Sequence, residues 1–334
     1  METLQFALKK LLYSIPLLIG VTFISFLLMV YFGPDLTYTI LSKNSTPEQI
    51  AELHVQLGYD QPFLNRYATF LKEVVTLDFG KSLSSKEDVS DILKRSVPVS
   101  FLVALPAFII ANVLGILLAL YAANHRGKKN DKGIMVLASI GMSISFLMVV
   151  IAFQIIFCTD YFNLGWFPVQ GWVEPPPDYP DATTFEIAYY YWYHYWSYVT
   201  VPTLASVFVA LGYNTRFFRA VIVEELNKDY VRTARAYGVS NRKIMIKYVL
   251  KNAMIPISTR IIITIPFVII AGNLVVEKFF GIPGVGLVTY DAITNGDLPI
   301  VKAVVTWTAI LYVLALILTD IVYRIIDPRT SDNQ

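Results

Sequence analysis

The sequence predicts an all-α, polytopic membrane protein with six transmembrane helices, and three observations carry that expectation. Of 334 residues, 55% are hydrophobic and only 16% are charged, with a mean hydropathy of +0.55. Apolar runs of about 20 residues, the length a helix needs to cross the hydrocarbon layer, recur six times along the chain. The net charge of +2 conceals a lopsided placement of lysine and arginine. A water-soluble globule must cover its outside with polar side chains, and this chain has too few. Disorder, nucleic-acid binding as the main activity and a disulfide scaffold are excluded together, since Cys158 is the only cysteine and reads as a small core hydrophobe.

The apolar runs fall at 11–32, 97–123, 133–158, 198–218, 253–276 and 300–325. Lys9 and Lys10 precede the first as they would a signal peptide, but the stretch is too long and no small-residue cleavage pattern follows. An uncleaved anchor is expected. Basic loops resist translocation, so the lysine and arginine pattern sets orientation. With the N-terminus in the cytoplasm, 17 of the 27 basic residues lie on that side, nine of them from Arg216 to Lys251. Both termini are therefore expected to be cytoplasmic.

These runs divide the chain. Residues 1–32 hold the N-terminal cytoplasmic end and first span, and 33–96 form an external helical subdomain. Residues 97–325 form a five-helix transmembrane core, and 326–334 a cytoplasmic tail. In the subdomain two short helices are expected, with Pro47 and Pro62 at their first turns. The core carries an external loop, 159–198, and a cytoplasmic loop, 216–252. The external loop contains the proline-rich GWVEPPPDYPD and then Tyr189 to Tyr198, where eight of ten residues are aromatic. Two readings of that run stay open, an interfacial belt and a stacking surface for a ligand or partner. His194 within it reads as a belt residue.

No GxxxxGK[ST], HExxH or GxSxG motif occurs, and His54, His125 and His194 stand far apart. Neither a catalytic residue nor a metal or cofactor site is expected. Ionisable residues within spans are costly and hence functional candidates, which singles out Arg260, Glu277 and Asp320 as pathway or gating groups. Snorkelling of Arg260 and Asp320 towards the cytoplasm is the competing reading. GIPGVG, at 281–286, fits a bent re-entrant or interfacial segment better than a phosphate cradle.

The most informative stretch runs from Glu224 to Pro256. Val223, Leu226, Tyr230, Ala234 and Tyr237 recur at intervals of three and four, giving one apolar helical stripe beside the charged Glu225, Lys228, Asp229, Arg232 and Arg235. Gly238 ends this helix, and Ser240 or Asn241 caps a second one leading into the fifth span. On composition alone, a basic amphipathic helix lying on anionic lipid remains an alternative.

YVRTARAYG, at 230–238, resembles the coupling motif of bacterial ABC-importer permeases in the oligopeptide, dipeptide and nickel group. The resemblance extends in order through LKKLLYSIPLLIGVTFISFLL, LGYDQPFLNRYATFL, LDFGKSL, NLGWFPVQGW, VVEKFFGIPGVG and the DPR of 327–329. Departures include Arg232 and Thr233 where the general motif has glutamate and alanine, FGPDLT at the outer end of span one, and SISF at 143–146 without a proline. The resemblance implies the type I permease fold of ABC importers in the bacterial inner membrane. It further implies a second homologous permease subunit, two ABC ATPase subunits that bind the ATP, and an extracytoplasmic binding protein. The implied cargo is peptide, with nickel or another small solute as the alternative. Glu225, Tyr230, Arg232, Thr233, Ala234, Arg235, Gly238 and Ser240 are the implied ATPase-coupling residues, the apolar stripe and Arg232 making the contact. A secondary transporter or channel predicts an internal repeat, and a membrane enzyme predicts clustered reactive side chains; neither pattern is visible.

Overall fold

The computed structural model describes residues 15–31, 47–56, 60–173, 184–266 and 274–326. Helices dominate them. They are α1 (Ile15–Phe26, followed by a π-helical turn Leu27–Tyr31), α2 (Pro47–Gln56), α3 (Phe63–Thr76), α4 (Val89–Asn124), α5 (Lys129–Ser143), α6 (Phe146–Cys158) and α7 (Thr184–Leu226). Then come α8 (Asp229–Ala236) and α9, which opens at Asn241–Lys243, widens into a π-helical stretch Ile244–Leu250 and continues as Lys251–Pro266. α10 (Leu274–Phe280), α11 (Val285–Asn295) and α12 (Leu298–Ile326) complete the chain. Extended pairing among the described residues is limited to one bridge, Lys81 with Asp88.

The all-α polytopic architecture is the expected one. α4, α7, α9 and α12 are each long and apolar enough to cross a membrane. The third expected span is not straight: α5 and α6 meet at a 97° bend around Ile144 and Ser145, a break that the apolar periodicity of 133–158 conceals. Of the first span, Ile15 to Tyr31 is described, and the remainder lies outside the described residues, as do Glu174 to Asp181 of the proline-rich loop, 267–273 and the C-terminal DPR. The two subdomain helices form where expected, with Pro62 one position earlier than the first turn, as the N-cap of α3.

Two long helices organise the rest. α7 spans 43 residues, about 64 Å at 1.5 Å per residue, twice the hydrocarbon thickness. The aromatic run is thus the N-terminal part of the same helix that is apolar enough to cross the membrane. α7 packs along α4 through Ala107, Ala111, Gly115, Ala119 and Ala123, buried small residues at every fourth position. Lipid supplies no hydrophobic gradient between helices, so close approach through small residues and the dispersion it permits hold them together. The approach is close: a Cβ added to Gly115 would stand 3.0 Å from Asn214 Cβ, and one added to Gly212 only 2.7 Å from the Ala138 carbonyl of α5.

Loop contacts sort into two ends. At one end, Asp297, only 1% exposed, accepts hydrogen bonds from Ser82 Oγ at 2.5 Å and from the Leu83 and Ser84 amides at 3.1 Å each. That end also ties the segment after α6 to α10, with Gln154 Nε2 donating to Val169 O (2.8 Å) and Phe279 O (3.0 Å), and Gly171 N donating to Phe280 O (2.8 Å). The three stretches LDFGKSL, NLGWFPVQGW and VVEKFFGIPGVG therefore meet there. The opposite, basic end brings together the α4–α5 turn and everything from Arg219 to Lys251.

Candidate coupling site

The basic end is built on one apolar cluster. Ala119 and Ala123 of α4, Phe218 and Ile222 of α7, Val231 and Ala234 of α8, and Ile244, Met245 and Val249 of α9 are all buried against one another. Four of the five expected stripe residues, Val223, Leu226, Tyr230 and Ala234, pack on this cluster, although the helix that carries them is broken: α7 ends at Leu226 and α8 restarts at Asp229, with the chain turning at Asn227 and Lys228. Val231 and Ala234 face the cluster, whereas Tyr237 is 84% exposed. The apolar face of α8 packs within the chain.

Polar contacts lock α8 in place. Tyr230 donates its hydroxyl to Glu225 Oε2 at 2.6 Å and also engages Asn252 of α9; burial pushes its phenol up to about 12. Arg219 clamps Asp131 with two bonds, Nε to Oδ1 at 2.6 Å and Nη2 to Oδ2 at 2.7 Å, while Gly127 N donates to Oδ2 at 2.9 Å. The guanidinium holds the Asp131 carboxyl below the usual carboxylate range. Arg126 reaches Asn227 Oδ1 at 3.1 Å, and Asn241 pairs with Asn124. The first basic loop is thus bolted to the second, and Asp131, Arg219 and Arg126 are site residues that motif reading missed. Their signal was present only as a lone acid in a basic loop.

The turn after α8 is a Schellman motif. Gly238 has φ +72° and donates N–H to Arg235 O (2.9 Å), and Val239 N donates to Ala234 O (3.1 Å). A Cβ at Gly238 would meet nothing within 4 Å, so the need for glycine is conformational rather than steric. Ser240 follows at the N-cap of α9, without a side-chain cap bond. Of the eight coupling candidates, Glu225, Tyr230 and Ala234 turn inward and hold the loop. Arg232, Thr233, Arg235, Gly238 and Ser240 form an exposed edge, with Arg232 paired to Asp229 at 3.2 Å and Thr233 Oγ1 donating to Asp229 O at 3.1 Å.

The intramembrane candidates separate. Glu277 is fully buried and lies at the end of the molecule opposite the basic loops, accepting from Ser100 Oγ at 2.6 Å and Leu287 N at 3.0 Å, while Val285 N donates to Ser100 Oγ at 2.7 Å. This carboxylate caps the N-terminus of α11, where negative charge is favoured. It also explains Gly284 of GIPGVG, where a Cβ would stand 2.4 Å from the carboxylate. Arg260 lies on α9 with its guanidinium carbon 4.7 Å from the Phe217 ring centroid. Asp320 belongs to α12, and its side chain lies outside the described residues.

The described residues thus form a multi-pass helical bundle with an exposed helix edge and glycine turn on one basic end. Comparison with known proteins gives the class. The chain belongs to the family described as "Binding-protein-dependent transport system inner membrane component", which matches residues 111–332, and residues 3–104 match its companion N-terminal family. It is an ABC-importer permease. A Brucella abortus protein named for a peptide transport system permease is 32% identical over 322 residues, 96% of this chain and 97% of that one. The dipeptide transport system permease protein of Bacillus subtilis is 32% identical over 272 residues, 81% and 80% of the two chains. The glutathione transport system permease protein of Salmonella choleraesuis is 31% identical over 326 residues, 97% and 98%.

Proposed function

We propose that this permease moves peptides inward across the bacterial cytoplasmic membrane, driven by two separate ATPase subunits that bind the ATP and fed by an extracytoplasmic binding protein. A second homologous permease completes the pathway. The observation that carries the coupling assignment is the exposed edge of α8 and its glycine turn, held rigidly by buried contacts on the other face. An edge of this kind transmits force: closure of the ATPase pair displaces α8, and the Asp131–Arg219 clamp and the shared apolar cluster pass that displacement to α4, α7 and α9. Tyr237, Arg232 and Arg235 are the contact side chains, since aromatic and arginine residues dominate binding energy at such surfaces. The names of the relatives support peptide cargo. Segregation of the loops into one basic and one poorly basic end supports both termini in the cytoplasm.

The test is Gly238→Val in the assembled complex. A β-branched residue at φ +72° breaks the turn, so membrane insertion is retained and cargo-stimulated ATP hydrolysis falls to the unstimulated rate. Normal stimulation would sink the assignment of this loop as the coupling element. The permease purified alone is expected to hydrolyse no ATP.

A further inference from the structure

Helix α9 carries a cation inside the membrane, Arg260, beside which no anion stands among the described residues. Arg260 stands about 14 Å of helical rise beyond Lys251. Its Nε is buried with no hydrogen-bond acceptor, and no ion pair engages it among the described residues. The side chain borders two cavities. One, of about 290 Å³, lies between α4, α7 and α9 and includes Asn112, Ser206, Asn214 and Thr264. The other, of about 410 Å³, lies against Phe217, Pro256 and Ile263. Most polar groups around the first are already committed: Asn112 Nδ2 donates to Phe108 O (2.8 Å), its Oδ1 accepts from Asn214 Nδ2 (3.3 Å), and the Thr264 hydroxyl donates to Ile261 O (2.7 Å). The Ser206 hydroxyl and the remaining amide groups of Asn214 and Asn112 are left beside the guanidinium, which is the one charged group among the described residues lining this cavity.

An arginine at this depth is expensive, and an apolar residue would pack there at lower cost. The face of Phe217 offsets part of that cost while leaving the planar fork of donors free. Such a fork matches a carboxylate bidentately. We propose that Arg260, with Asn214, is a carboxylate subsite on the transport path, which takes the free carboxylate of passing peptide. That choice of ligand rests on peptide being the cargo, as proposed for the importer. A site of this kind holds its ligand briefly, because a resident anion would block the path that the site serves.

Two measurements test the subsite separately from the cargo. In vesicles containing the complete importer and saturated binding protein, uptake of a peptide is compared with uptake of the same peptide as its C-terminal amide. R260Q is expected to lower free-acid uptake about tenfold more than amide uptake, the loss expected for one charge-assisted contact. R260K, which keeps the charge without the fork, falls between. An acid-to-amide ratio unchanged by R260Q overturns the proposal. In the second measurement Cys158 is replaced by alanine and Ser206→Cys is introduced into the same complex. An anionic methanethiosulfonate is expected to label this cysteine faster than a cationic one, with the preference abolished by R260Q. Equal or reversed rates with Arg260 present overturn the subsite whatever the cargo. Failure to transport either peptide form while the labelling preference holds refutes the peptide reading and leaves the anion site standing.

Discussion

Asp131 and Arg219 decide how the two basic loops sit relative to each other. The carboxylate is 3% exposed and accepts three hydrogen bonds, two of them from the guanidinium, so its ionised form is strongly favoured. Asp131→Asn is expected to lower stability by about 2 kcal/mol, the range for hydrogen bonds to charged groups, measurable as an earlier unfolding transition in detergent. The sign of the pH effect is set by the depressed pKa. The stabilisation is fully present above the ordinary carboxylate pKa of about 3.9 and is lost as pH falls through the lower folded value. Wild type and Asp131→Asn should therefore converge in strong acid but differ at pH 5; a difference that is the same at both pH values would show that the charge is irrelevant. At the opposite end Asp297→Ala leaves Ser82 Oγ and two amides without their acceptor, and the 80–88 loop should become protease-sensitive while the spans remain intact.

At the scale of elements, α4 and α7 depend on small residues where they touch. Gly212 has the Ala138 carbonyl of α5 at its back, so Gly212→Val forces backbone apart rather than merely filling space. Loss of the monodisperse detergent-solubilised protein is expected for that variant, whereas Leu137→Val, on the 70% exposed surface of α5, should be silent by the same assay. The periodicity of 133–158 and of Val223 to Tyr237 looked continuous because hydrophobicity reports burial, not backbone direction. The 97° bend at Ile144 and the restart at Asp229 leave the apolar count unchanged while redirecting the helix on the C-terminal side of each break. Gly238, Pro47 and Gly284, by contrast, stand where the chain turns or a helix starts, although Pro98 and Pro106 of α4 and Pro202 of α7 lie within helices.

For the molecule as a whole, the loop contacts among the described residues gather at two ends with the apolar helices between them. Cysteines at Ser84 and Lys132, both exposed, should be labelled from opposite sides of the membrane by an impermeant reagent, Ser84 from outside. Labelling of both from one side would overturn the topology. The exposed edge of α8, the Arg219 clamp and the α4–α7 seam form one packed path from the basic end into the bilayer, the route along which the proposed coupling would act.

Composition, hydropathy and the placement of lysine determined that this chain is an all-α membrane protein, roughly where it crosses, and which loop is exceptional, because those properties depend on transfer of each residue between water and lipid. The order of short motifs along the chain determined its family. Only the tertiary structure decided that Tyr237 faces out and Val231 in, that Glu277 caps α11 through Ser100, and that Asp131 binds Arg219. These depend on which distant side chains arrive within about 3 Å of one another, a matter of helix bends and registers that no local pattern encodes.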